Sequence, residues 1–418
     1  MSAIFFLVLI LALLVLRQPL TVILIVAIGY LHLVWGHGYL DYIVEDMWTS
    51  LNKELILSVP LFLLCGAVMT EGTAARRLVR IVRALTITTR GGLGVAAIIS
   101  CAVFAAISGS SIVTMIAVGS VLYPAMKEAG YTNRFALGTV VSGGTLGIII
   151  PPSIPLILYG LVTETSIVDL FLAGIMPGFV LIALMTAYAI WANRHKPAEK
   201  MDWAELRVAL REGVWAALFP VILLGGIYSG FYSPTESAAV ALVYALVIEF
   251  FVHREMTPAK YFNVVTETAK LGGALFPLIA VALSLNLVLT EYRVPAQMVE
   301  LVGAWIDSPL AFILIVNLLL LVVGAFMTTN EAILILGPIL MPVAQVYGFH
   351  PVHFGIIMIV NLEIGYLTPP VGMNLMVALV TFRQKFSELV MSVLPYIAVM
   401  VIGLVLITVF PWLSLGLL

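Results

Sequence analysis

Residues 142–155 read SGGTLGIIIPPSIP, and residues 365–372 read GYLTPPVG. Each stretch interrupts an apolar run with a proline pair, Pro151-Pro152 in the first and Pro369-Pro370 in the second. A proline has no N–H and clashes with the carbonyl four residues earlier, so two together break a helix. In runs this apolar the break falls at membrane depth. Irregular backbone is tolerated there only against protein or a water-filled cavity.

Laid on itself at an offset of 218, the chain superimposes the two pairs. The same register aligns Gly119 with Gly337, Pro124 with Pro342, Gly130 with Gly348 and Gly147 with Gly365. It also places Ser110-Ser111 on Thr328-Thr329. Identity elsewhere is poor, but the matches fall on residues that set backbone shape. The chain therefore reads as two repeats. Paired Gly/Pro-interrupted apolar segments in corresponding positions point to the site of a secondary transporter, whose repeats are commonly inverted.

Each break has a companion hairpin. Gly91 to Met126 is 36 residues without a charge, whereas one span needs about 20. Its middle, Ser108-Gly109-Ser110-Ser111, is small and polar, so two half-length helices meeting at a re-entrant tip fit the stretch. The equivalent hairpin covers 308–349, with its tip at Met327-Thr328-Thr329-Asn330. The broken helices cover 135–163 and 354–382.

Four regions follow. Residues 1–57 give N-terminal scaffold spans, with Met1 to Leu16 retained as a span, Arg17 separating it from the next, and an interfacial segment at 37–57. Residues 58–192 are the first repeat. It includes 74–89, where Arg76, Arg77, Arg80 and Arg83 interleave with apolar residues as in a helix lying in the interface plane. Residues 193–275 hold a hydrophilic loop at 193–213 and central spans at about 214–231 and 236–252. Residues 276–418 are the second repeat and a C-terminal span. Basic residues place loops 193–213 and 253–260 on the cytoplasmic side.

Composition supports this reading. The 418 residues are 62% hydrophobic and 10% charged, against about 25% charged in soluble proteins, and mean hydropathy is +1.15. The runs are continuous and not alternating, so the expected fold is an all-α polytopic membrane protein in a phospholipid bilayer. Net charge is −2, which offers nothing to nucleic acid. Cys65 and Cys101 sit in apolar runs as small buried hydrophobes. The histidines, including His37 and His353, read as interfacial. No hydrolytic or metal-enzyme constellation appears, so neither catalytic residues nor an organic cofactor is expected.

Proline breaks free carbonyls, and hard cations take oxygen ligands. Sodium ions are therefore expected at Ser111, Thr114, Gly147, Pro151, Pro152, Thr329, Gly365, Thr368, Pro369 and Gly372. Helix N-termini at the tips suit an anion. The candidate substrate contacts are Ser108, Gly109, Ser110, Gly143, Gly144, Thr145, Thr328, Asn330, Asn361 and Asn374. Glu331 and Glu363 are intramembrane acids, which are functional by default. A capping or subunit-pairing role stays open for them.

Residues 142–155 resemble the large membrane subunit of tripartite ATP-independent periplasmic (TRAP) transporters. So do Leu170 to Gly178 (LFLAGIMPG), Ser233 to Ala238 (SPTESA), His353 to Ile357 (HFGII), and Gly365 with Thr368 to Gly372 (TPPVG). The resemblance runs over most of the chain. It implies sodium-driven uptake of an organic acid across the bacterial inner membrane by an elevator motion. It also implies two partners, a periplasmic substrate-binding protein and a separate small four-helix membrane subunit. The alternatives are a sodium–dicarboxylate symporter working without a binding protein, a structural subunit of a membrane enzyme complex, and a channel.

Overall fold

The computed structural model describes residues 2–16, 18–34 and 40–418. Arg17 and His37 lie outside the described residues. Two short apolar helices, α1 (Ser2–Val15) and α2 (Leu20–Val34), precede α3 (Asp41–Leu51). Next come α4 (Ser58–Glu71) and α5 (Ala74–Thr86). Helix α5 covers most of the expected interfacial stretch. It buries Leu78, Val79 and Val82 while Arg80 reaches outward to Glu205 and Glu212 at 2.7 and 2.6 Å.

The first hairpin is α6 (Gly92–Ser108) and α7 (Ser111–Glu128), with Gly109 at φ +57° turning the tip. Glycine occupies that left-handed region without a Cβ penalty. The first broken helix is α8 (Asn133–Gly144), α9 (Leu146–Ile149) and α10 (Ile154–Thr163), with Ile150–Ser153 unwound. Ser153 restarts the chain as the N-cap of α10, accepting from the Leu156 amide. A long span, α11 (Ile167–Ala192), closes this half.

The centre holds α12 (Trp203–Tyr228), α13 (Pro234–Val247) with a π turn at Ile248–Val252, and α14 (Pro258–Glu291). Two expectations are corrected here. The helix expected at about 214 begins at Trp203, because the Asp202 carboxylate caps the amides of Ala204 and Glu205. The boundary expected at 275/276 falls inside α14, a 34-residue helix. It buries Leu278 to Ser284, and a continuous apolar run gives the backbone no reason to stop there.

The second half runs through α15 (Val294–Gly303) to its hairpin, α16 (Pro309–Phe326) and α17 (Thr329–Val346). Its broken helix is α18 (Pro351–Tyr366) and α19 (Met373–Phe382), and α20 (Phe386–Val409) with α21 (Trp412–Leu415) ends the chain. The 218-residue offset carries the limits of α7 onto those of α17. It brings the starts of α6, α8, α10 and α11 within one residue of those of α16, α18, α19 and α20. The tip expected at 327–330 is shorter than its sequence suggests. Thr328 already caps α17, leaving Asn330 in the first helical turn.

Nine helical stretches among the described residues are long and apolar enough to cross a membrane. Their surroundings differ. The most apolar 18-residue window of Asn133–Thr163 is 94% buried inside the protein, whereas that of Trp203–Tyr228 is 28% buried. The first broken helix is thus wrapped by protein and α12 faces outward. The two broken helices meet directly. Gly355 leaves room for the Tyr159 ring, and Tyr159 donates to the Pro351 carbonyl at 2.9 Å. His353, expected at an interface, is instead 2% exposed in α18.

Candidate functional site

Each hairpin tip packs on the broken helix of its own half. An added Cβ at Gly147 would lie 2.5 Å from the Ser110 carbonyl oxygen, and one at Gly109 would lie 3.0 Å from that of Pro152. In the second half a Cβ at Gly365 would lie 2.6 Å from Gly324 Cα, and the amides of Val371 and Gly372 donate to the Ala325 carbonyl. Only glycine permits such approach of backbone to backbone, so the matched Gly147 and Gly365 are packing requirements first. Both proline pairs have cis peptide bonds. They differ in setting: Pro151 and Pro152 are buried, while Pro369 and Pro370 are exposed.

The two halves are joined at the tips. Asn374, from α19, donates to the Ser111 hydroxyl at the start of α7 across 2.6 Å. Thr329, which opens α17, donates its hydroxyl to Glu363 at 2.9 Å, and its amide donates to the Tyr366 hydroxyl at 3.3 Å. Ser111, Thr329, Glu363 and Asn374 are each at most 1% exposed. Glu363 Oε2 and Asn374 Oδ1 are buried without a hydrogen-bond partner among the described residues. Both tips therefore hydrogen-bond the second broken helix, Ser111 to Asn374 and Thr329 to Glu363 and Tyr366.

A cavity of about 390 Å³ opens in front of them. One wall is the two tips, with Ser108, Gly109, Ser110, Ser111, Thr328, Asn330 and Glu331. The lining also includes α4 at Leu63, Gly66 and Ala67, and α14 at Leu271, Ala274, Leu275 and Leu278. Helices α7 and α17 both begin at this cavity, so their N–H-rich ends border it.

Ser108, Gly109, Ser110, Ser111, Thr328 and Asn330 are the expected residues that line the cavity; the others lie behind or away from it. Thr114 is fully buried behind the first tip, hydrogen-bonded to Ser108 at 2.6 Å. Gly143 packs on Cys101, and Gly144 on Met115 and the Ser111 carbonyl. Thr145 is turned away, donating to the Ser142 carbonyl and to Met400 Sδ. Asn361 binds Asn317 of α16 and holds that hairpin arm to α18. Thr368 donates to the Ile364 carbonyl beside the second break. The tip set omitted Glu363, Tyr366 and Glu331. Glu363 carried a usable signal as a lone acid at membrane depth. Glu331 carried another in the Thr-x-x-Glu spacing of a capping box, which the structure forms at Thr328.

Among the described residues no cluster of His, Cys, Asp and Glu could hold a metal. Hairpins, broken helices and a cavity lined by the tips and flanking spans define a multi-pass membrane transporter. The family model described as tripartite ATP-independent periplasmic transporter, DctM component, matches residues 7–413. The chain belongs to that family and is a multi-pass protein of the bacterial inner membrane.

Its relatives include a C4-dicarboxylate TRAP transporter large permease protein of Pseudomonas aeruginosa. That protein is 42% identical over 87% of this chain and 86% of its own length. The ectoine/5-hydroxyectoine large permease protein of Ruegeria pomeroyi is 35% identical over 99% and 98%. An isethionate permease protein of Oleidesulfovibrio alaskensis is 38% identical over 89% of this chain, which spans 59% of that longer protein. Two solved structures share the fold. The Alcanivorax borkumensis YdaH transporter has a TM-score of 0.68 at 17% identity, covering 99% of this chain and 98% of that one. Neisseria gonorrhoeae MtrF has a TM-score of 0.64 at 13% identity, covering 90% and 84%.

Proposed function

We propose that this chain is the carrier subunit for sodium-coupled uptake of a small carboxylate, working as an elevator. The hairpins and broken helices form the moving body, and α4 and α14 belong to the scaffold it slides against. The observation that carries this reading is the cavity, which is lined by both tips together with α4 and α14.

Sodium belongs with the buried oxygens between the tips. Glu363, Asn374, Ser111 and Thr329 offer a carboxylate, an amide oxygen and two hydroxyls, the donor chemistry a hard cation takes. Carbonyls at the two breaks supply further ligands. A bound sodium neutralises Glu363 and fixes both tips, which prepares the N-terminus of α7 for a substrate carboxylate. The exposed second break suits entry or exit of an ion more than the enclosed first one does.

The partners are a small membrane subunit and a periplasmic binding protein that delivers the substrate. Relatives named for C4-dicarboxylates, isethionate and ectoine keep the substrate within small organic acids and zwitterions. The test is uptake into proteoliposomes holding the complete complex, with and without an inward sodium gradient. Uptake that follows the gradient and requires the binding protein supports this reading. Uptake indifferent to sodium contradicts it.

A further inference from the structure

The two tips are equivalent in sequence register but opposite in charge. At the first, Ser110 is the N-cap of α7, no side chain caps the helix, and no acid stands in its first turn. Ser110, Ser111, Ile112 and Val113 of that turn line the cavity. At the second, Thr328 and Glu331 form a reciprocal capping box. Glu331 Oε2 takes the Thr328 amide at 3.0 Å, so the positive end of α17 is already offset by its own carboxylate. Glu331 lines the cavity, and its second oxygen has no partner among the described residues.

No Lys, Arg or His lines this cavity among the described residues. The nearest base along α14, Lys270, is exposed and paired with Glu267 at 2.6 Å. The cavity thus has one electropositive end, the start of α7, and one acidic end, Glu331. Between them runs an apolar wall including Leu63, Ala67, Ala274 and Leu275.

We infer that the cavity selects a zwitterion, a small carboxylate that also bears an ammonium or amidinium group, over a dicarboxylate. The carboxylate lies at the uncapped N-terminus of α7, and the cationic group lies at Glu331. A second carboxylate would face Glu331 with no base to neutralise it, a repulsion that costs affinity and suppresses the wrong substrate. This inference rests on the transport reading above and names the substrate class of the same cavity.

The test is ligand-induced thermal stabilisation of the purified membrane complex in sodium, without the binding protein. The probes are ectoine, β-alanine and succinate. The expected result is stabilisation by a zwitterion at concentrations at least tenfold lower than succinate requires. Glu331→Gln keeps the capping box, because glutamine serves at the same position. In that variant the preference should fall by tenfold or more, while the shift produced by sodium alone persists. Tighter binding of succinate than of either zwitterion overturns the inference. So does an unchanged preference in Glu331→Gln. Sodium-driven uptake of succinate by the complete complex would leave the transport reading intact and overturn this one, whereas sodium-indifferent uptake of every probe would remove both.

Discussion

Asn374 and Ser111 stand 263 positions apart in sequence, yet the amide of one donates to the hydroxyl of the other across 2.6 Å. That bond ties the second broken helix to the first hairpin. Asn374→Ala removes it and leaves a buried hydroxyl with less support. The expected loss is about 0.5–1.5 kcal/mol of stability, read as a lower melting temperature of the purified protein. Sodium should restore less of that stability in the variant than in the wild type.

Glu363 receives the Thr329 hydroxyl and has no charged partner of its own. Glu363→Gln keeps the shape and removes the charge. Sodium activation of uptake should then need roughly tenfold more sodium or greater, the worth of one charged contact. Ser111→Ala and Thr329→Ala should weaken sodium dependence in the same direction. Sodium titration of initial uptake rates reads all three, and unchanged curves would remove these groups from the cation site.

Gly365→Ala would put a Cβ 2.6 Å from Gly324 Cα. Backbone cannot retract as a flexible side chain does, so α16 and α18 must separate. A cost of about 1–3 kcal/mol is expected, seen as a lowered melting temperature. Ala substitution at Gly348, where nothing lies within 4 Å but φ is +87°, should cost only the backbone strain, about 1 kcal/mol.

Helix α5 is tied to α12 by Arg80, and hydrogen bonding from Arg80 holds the Glu205 carboxyl below its ordinary 4.5. A lowered value means the tie is present above the ordinary value and is lost as pH falls through the lowered one. The pair is exposed, so salt should weaken it as well. Proteolytic nicking between residues 193 and 203 should increase as pH falls through that lowered value and with added salt. Glu205→Gln should flatten the response to both.

The elbow between α4 and α5 is filled by a buried acid. Glu249 accepts the Thr73 amide at 3.3 Å, and a Cβ at Gly72 would lie 2.3 Å from its carboxylate. Gly72→Ala should displace Glu249 from the elbow and slow uptake at saturating substrate, while the sodium concentration for half-activation stays near the wild-type value. A changed sodium requirement with normal maximal uptake would contradict an elbow role.

Backbone architecture was legible because glycine and proline announce it locally. Gly109, Pro151-Pro152 and Pro369-Pro370 each mark a break that the structure contains. Side-chain convergence was not legible from spacing. Glu363 meets Thr329 34 positions away, and Ser111 meets Asn374 across the repeat. Thr145 and Asn361 have site-like chemistry but spend it on packing partners, Met400 and Asn317. The unlike exposure of the two proline pairs is set by what packs around them, which no local pattern encodes.

Access to the tips is the most direct measurement. Ser110 lines the cavity, and the native thiols of Cys65 and Cys101 are buried, so Ser110→Cys offers one reactive probe. In oriented vesicles containing the complete complex, a membrane-impermeant maleimide should reach Cys at this position from each face, one face at a time. Sodium with substrate should shift the balance between the faces. Labelling from a single face under every condition would contradict a carrier whose tips cross the membrane.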